Sequence, residues 1–280
     1  MRTLSPIISQ VSVNYSNPLL SKLTGWWLNI PAHKGGTRFR DLLGLHHGTF
    51  NGIAAPATAT SGLNSTIRQG GFGEIRFDGS NDYVDNSGIL STFITNTDGT
   101  MTAWFNLRAN GSSQANAFNL PGIVTDSIGA FAGIHVGDYT GNGDNIWIYL
   151  WDGASRTVGM TYTLNTWIHV AWVHTGGTLF GYKNGIQIGS VGAAGIEDVT
   201  NAFVTGAGLL QNAAAKIDDV RTWKRGLSPS EVAAVYIDSL NGYTKTLNRA
   251  SKVFNPPALS SQNSLLTQRV FNRGLLRGVA

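Results

Sequence analysis

Residues 214–236 read AAKIDDVRTWKRGLSPSEVAAVY, and the reading of this stretch decides the fold. Two adjacent carboxylates, Asp218 and Asp219, stand in a short apolar run of strand character, and a helix start follows. Ser228 supplies the capping hydroxyl and Pro229 the fixed φ that suits a first helical position. Glu231, three residues after the cap, completes a capping box. Val232, Val235 and Tyr236 then recur at helical spacing, which predicts a short surface helix packed on a sheet edge, and Asn241-Gly242 ends it. Neighbouring residues of a strand point to opposite faces, so Asp218 and Asp219 are not expected to act together on one substrate.

The rest of the chain is written in strands and turns. Among 280 residues there are 35 glycines, 13% charged and 10% aromatic residues, a balance that favours many short strands joined by tight turns over a helical bundle. The 42% hydrophobic content is ample for a buried core. There is no cysteine, which excludes a disulfide framework, a thiolate metal site and a cysteine nucleophile. The first twenty residues lack the apolar core of a secretory signal, and no run reaches the roughly 18 apolar residues of a membrane span. The expectation is a soluble chain with no signal peptide and no membrane partner.

Alternation marks the strands. In TMTAWFNLRANG, Met101, Ala103, Phe105 and Leu107 share one face and Thr102 and Asn106 the other, the pattern of a half-buried strand. In NIWIYLW, Ile146, Ile148 and Leu150 oppose Trp147, Tyr149 and Trp151, so both faces are apolar and one meets a second layer or a ligand. TLFGYKNGIQIGSV predicts a hairpin, because Asn184-Gly185 tolerates the positive φ that a type I′ turn requires.

These segments resemble a known family. GWWLN with GGTRFRDLLGLHHGTFNG, RFDGSNDYVD, MTAWFNL, NTWIHVAWVH with LFGYKNGIQIG, and finally IDDVRTWKRGLSPSEVAAVY together resemble a laminin-G-like, concanavalin A-like jelly roll over about residues 24–242. His46-His47-Gly48 departs from the Asn-His-Gly usual there. VNYSNPLLSKLTGWWL is further similar to laminin-G-like proteins encoded by tailed bacteriophages. The resemblance implies an all-β, two-sheet antiparallel jelly-roll sandwich with one short C-terminal helix and extended N- and C-terminal arms. The expected divisions are an arm over residues 1–22, the jelly roll over 23–243 and a basic tail over 244–280.

Fold does not fix function, so the chemistry has to come from side chains. Retaining glycosidases of this fold need paired acids on one strand, whereas the three glutamates here, Glu74, Glu197 and Glu231, stand far apart. No Gly-x-Ser-x-Gly elbow occurs. An enzyme is therefore not expected. His46 and His47 are adjacent, and His169 and His174 differ by an odd number of residues, so neither pair grips a transition metal. The resemblance implies a structural calcium ion where the last strand meets an early turn, with Asp218 as its best side-chain ligand and Asp78 or Asp82 as further candidates; the alternative has Asp218 and Asp219 simply bonding backbone amides and Arg221. Sugar sites need aromatic platforms beside amides and carboxylates, which nominates Tyr139, Asp144, Asn145, Trp147 and Trp151 for a glycan.

Charge is unevenly shared. Six of the twenty basic residues lie beyond the last acid, Asp238: Lys245, Arg249, Lys252, Arg269, Arg273 and Arg277. The tail has too few large apolar residues for a core of its own, which suggests an assembly anchor formed by Arg249, Lys252, Arg269, Arg273 and Arg277. Six charges over this length lack the density of a nucleic-acid arm. The leading expectation is thus a non-enzymatic structural module of a phage virion, assembled in the host cytoplasm. It would be present as a homo-oligomer or in many copies on capsid or tail subunits, with a lectin-like adhesin for host glycans as the alternative.

Overall fold

The computed structural model describes residues 11–28, 38–53, 62–64, 73–86, 98–108, 118–120, 132–136, 145–194, 204–205 and 214–249. Contacts divide the chain into Met1–Asn248 and Arg249–Ala280, and Arg249 alone of the second unit lies within the described residues.

The described strands are, in chain order, β1 Val11–Val13, β2 Leu23–Trp27, β3 Arg38–Phe39, β4 Gly48–Asn51, β5 Gly62–Asn64, β6 Glu74–Asp78, β7 Tyr83–Asp85, β8 Gly99–Leu107 and β9 Phe118–Leu120. There follow β10 Ala132–Val136, β11 Asn145–Trp151, β12 Ser155–Thr161, β13 Trp167–Thr175, β14 Thr178–Lys183, β15 Ile186–Gly192, β16 Val204–Thr205, β17 Ala214–Trp223 and β18 Leu247–Arg249. One helix, α1 Pro229–Leu240, lies between β17 and β18. One eight-stranded sheet runs β12-β11-β10-β9-β16-β7-β4-β3; a second runs β15-β14-β13-β8-β17-β6-β5, with β2 also paired to β17. Every pairing with a resolved register in the two sheets is antiparallel. This is the two-sheet antiparallel jelly-roll sandwich, mostly β with one helix, that the sequence leads one to expect.

Between the sheets lies one apolar core. Met101, Ala103, Phe105 and Leu107 of β8 meet Ile146, Ile148 and Leu150 of β11, as the alternation requires. Trp172 of β13 donates its indole N–H to the Tyr149 carbonyl of β11 at 2.9 Å, a buried bond from one sheet to the other. The Asn184-Gly185 turn has φ of 51° and 79°, the two left-handed residues of the expected hairpin between β14 and β15.

Two expectations change. β8 is buried along its whole length instead of half-buried. The reason is α1, which packs across the outer face of the second sheet as well as reaching its terminal strand β15, and not on the edge alone. Val232 and Val235 join Ala171 and Val173 of β13, Tyr182 of β14 and Trp223 of β17 in one cluster. Tyr236 stacks on Trp104 of β8 with ring centroids 5.6 Å apart, and the Trp104 indole donates to Ser239 Oγ at 2.9 Å. The helix begins as anticipated: Ser228 Oγ accepts from the Glu231 N–H, and Glu231 accepts from the Ser228 N–H.

The ends of the described chain are laced to that same face. The Trp223 indole donates to the Leu19 carbonyl, and Arg225 Nε to the Ser21 carbonyl. Asn14 donates from its backbone to Thr246 and from its side chain to Lys245, while β1 pairs with β18. Residues 11–22 and 244–247 are therefore hydrogen bonded to each other or to the sandwich.

Candidate functional site

Three places hold residues that the sequence nominates, and their surroundings differ. The first is the acidic pair. Asp218 and Asp219 are both wholly buried. Strict alternation does not apply to them, since Asp219 has φ 54° and the register of β17 against β8 shifts between Asp218 and Arg221. The bulge lets the Asp219 carboxylate take Arg221 Nε and Nη2 at 2.7 and 2.9 Å and the Trp26 indole at 2.8 Å. Arg221 in turn lies over the Trp26 ring, 4.1 Å from its centroid, and faces Tyr243 at 5.3 Å. Burial opposes the Arg221 charge, but the adjoining Asp219 carboxylate more than offsets it and holds the guanidinium above its usual value. With no solvent-exposed surface on these groups, the cluster serves as a buried clasp between β17, β2 and the turn after α1.

The second is the calcium set, which does not converge. Asp218 Oδ1 accepts the Asp219 N–H. Asp78 Oδ1 accepts the N–H groups of Ser80 and Asn81, and Asp82 Oδ2 accepts that of Asp78, so these two acids close the turn between β6 and β7. Asp78 pairs with Ala214, four residues along β17 from Asp218, a separation of about 13 Å at the strand rise. Among the described residues no group of three or more His, Cys, Asp or Glu side chains is placed to hold a metal. Asp218, Asp78 and Asp82 therefore do not come together as one ligand set for the ion.

The acid that fastens the early turn is Asp41, not Asp218. Its Oδ1 accepts from the Trp26 and Leu43 N–H groups and its Oδ2 from those of Leu45 and His46. His47 Nδ1 accepts the Asp41 N–H, and the Trp27 indole donates to the His46 carbonyl at 2.7 Å. The sequence signal for this was Asp-Leu-Leu-Gly, an acid three residues before a glycine that takes φ 78°.

The third is the outward face of the first sheet at β11 and β12. Ile146, Ile148 and Leu150 fill the core, so Trp147, between them, stands on the opposite face, where it is partly exposed. Its register partner on β12 is Gly159. A Cβ at Gly159 would lie 2.7, 3.1 and 3.2 Å from three atoms of the Trp147 six-membered ring, so the indole rests on the bare backbone of that glycine. Thr157 and Thr161, two residues to either side, are exposed on the same face. The turn between the two strands is held by Asp152, which burial alone would push up. The N–H of Ala194 and the Arg156 guanidinium, bonded to it, instead bring it below the usual carboxylate range.

Of the other glycan candidates, Asn145 and Trp151 occupy the two ends of β11, while Tyr139 and Asp144 lie outside the described residues. The tail residues Lys252, Arg269, Arg273 and Arg277 also lie outside them, and Arg249 ends β18. Among the described residues no helix is long and apolar enough to cross a membrane.

A family model described as the concanavalin A-like lectin/glucanases superfamily matches residues 78–233. Comparison with curated proteins finds no match. Among solved structures, domain 4 of AbnA, a GH43 extracellular arabinanase from Geobacillus stearothermophilus in complex with arabinotriose, is similar at TM-score 0.55 and 14% identity. The match covers 77% of this chain and 98% of that one. The botulinum neurotoxin serotype D binding domain is similar at TM-score 0.56 and 15% identity, over 83% of this chain and 52% of that one. Trypanosoma rangeli sialidase in complex with the inhibitor DANA follows at TM-score 0.54 and 13% identity, over 76% of this chain and 32% of that one. At these identities the likeness is one of fold.

Proposed function

This chain belongs to the concanavalin A-like lectin/glucanases superfamily, and on that premise we propose that it is a carbohydrate-binding module whose sugar stacks on Trp147. The observation that carries the reading is the seating of the indole on Gly159, which holds one ring face to the sheet and leaves a platform beside the hydroxyls of Thr157 and Thr161. Sugars present an apolar C–H face for such a ring and hydroxyls for such neighbours. The arabinotriose complex of AbnA domain 4 lends support from a protein of the same fold.

The module binds without cleaving. Two of its glutamates are committed to structure: Glu74 is buried against Arg76 at 2.8 Å and Lys216 at 3.7 Å, and Glu231 is held by the helix cap and Arg225. Glu197 lies outside the described residues. An oligosaccharide array is the test. Wild-type protein gives signal on at least one neutral glycan and Trp147→Ala loses it, with no reducing ends released on long incubation. Silence across the array, or binding untouched by Trp147→Ala, overturns the reading.

A second reading, the module of a phage virion, is favoured by one observation, the acid-free run after Asp238. Its test is a truncation placed after Arg249. A cut at residue 244 would remove the Lys245 and Thr246 groups that Asp238 and Asn14 bind, and would confound folding with anchoring. Loss of co-sedimentation with particles on removing residues 250–280 supports the anchor; retention rejects it.

A further inference from the structure

The strand beneath the Trp147 ring is held in place from the other sheet. Gly159 of β12 carries the indole on its outward side, and its neighbour Val158 turns inward, buried in the core between the sheets. Facing Val158 are Gly181 of β14 and Gly189 of β15, register partners of one another. A Cβ on either would come within 2.9 Å of Val158 Cγ1, so the valine methyl rests in a hollow made by two bare backbones. Apolar carbons pack at about 3.5–4.0 Å, which leaves no room there for another methyl. Both ends of β12 are also tied across the sandwich. The Lys183 ammonium of β14 donates to the Thr161 carbonyl at 2.6 Å, and the Ala194 N–H, just beyond β15, donates at 2.7 Å to Asp152 Oδ2 in the turn that leads into β12.

We propose, on the reading of Trp147 as the sugar platform, that Gly189 is a positioning residue for it: through Val158 it fixes how β12 sits beside β11, and so how the indole lies. Val158 and Gly159 are consecutive, so a push on the inward methyl passes across one peptide bond to the backbone that carries the ring. The two glycines of the hollow differ in what they would push. A Cβ at Gly181 would also meet Ile148 Cγ1 at 3.1 Å, and Ile148 is the register partner of Val158 on β11, next to Trp147. Both strands would then move together and the ring would keep its seat. Among the described residues a Cβ at Gly189 would meet Val158 alone, and would shift β12 against β11. Gly192, on the same strand, has no described atom within 4 Å of its Cβ position and is the natural control. Neither Gly189 nor Gly192 has a left-handed φ, so alanine at either is unstrained by its own backbone.

Fluorine NMR of the full chain labelled with fluorotryptophan reads the ring directly, with the Trp147 resonance assigned by its loss in Trp147→Phe. Affinity is read alongside, with an oligosaccharide that wild type binds on the array. In Gly189→Ala the Trp147 resonance is expected to shift and affinity to fall by up to about tenfold, the worth of one stacking contact. Gly192→Ala is expected to change neither, and Val158→Ala added to Gly189→Ala to restore both. Should Gly189→Ala not fold, Val158→Ala alone, which empties the hollow, has to move the same resonance. An unmoved Trp147 resonance, an equal shift in Gly192→Ala, or no restoration in the double variant overturns the positioning role. An array silent for wild type overturns the sugar reading instead, and the resonance still decides whether Gly189 sets the ring.

Discussion

On β8 the outward residues Thr100, Thr102, Trp104 and Asn106 are as buried as the inward ones, whereas on β11 and β12 the outward Trp147 is partly open and Thr157, Gly159 and Thr161 are in solvent. Both faces obey the same two-residue period. They differ in what lies over them, for α1, residues 14–23 and the segment after α1 cover the first and no described element covers the second at this point. The covered face contains the charged chemistry, Asp219, Arg221 and Asp238, and uses it internally. The open face holds less charge and more reachable surface. Conspicuous acids therefore mark the clasp in this molecule, and a glycine under a tryptophan marks the candidate site.

The largest effect that tests this contrast is on the covered face. Asp219→Ala leaves the buried Arg221 without its carboxylate and is expected to cost about 3–5 kcal/mol, read as a fall in denaturation midpoint. A loss below about 1 kcal/mol would mean that the clasp is solvated and the contrast false. On the open face, Trp147→Ala is expected to cost roughly 1–2 kcal/mol of stability for its half-buried ring, yet to remove sugar binding. Gly159→Ala sharpens the point. Its methyl displaces the indole from its seat, so affinity should fall with the fold intact.

Smaller effects belong to the start of α1. Ser228→Ala removes the hydroxyl that accepts the Glu231 N–H and should cost about 1 kcal/mol, by chemical denaturation. Glu231 is held below its usual range by the Arg225 guanidinium first, and by the Ser228 N–H and hydroxyl, against the opposing effect of burial. Its unfolded value is about 4.3. A depressed carboxylate contributes stability in full above that value, and the contribution is lost as pH falls through the folded value. The acid limb of the stability profile should therefore be shallower in Glu231→Gln than in wild type, and identical limbs would show the cap to be indifferent to charge.

Much of this was legible in the chain. Alternation in 100–111 and 145–151, the Asn184-Gly185 turn and the Ser228 to Glu231 box each depend on residues near in sequence, where dihedral preference and hydrogen-bond reach are local. Trp147 was legible as a candidate for the same reason, its period on β11. Gly159 was not, because its meaning is a ring from a neighbouring strand resting on it, and no spacing records that register. The roles of the acids were exchanged likewise. Asp218 and Asp41 both present a carboxylate beside apolar residues, and only the turn that brings four backbone N–H groups around Asp41 distinguishes them.

The sequence by itself determined the class of fold, the strands, the helix start and the absence of cysteine chemistry, since these follow from composition and from periods of two and of 3.6. Only the tertiary structure decided which sheet face α1 would cover and that Asp219 would leave the strand alternation to meet Arg221. Each of these depends on groups distant along the chain arriving at one place. Burial, which sets whether a carboxylate is a clasp or a ligand, is a property of that place and not of the residue.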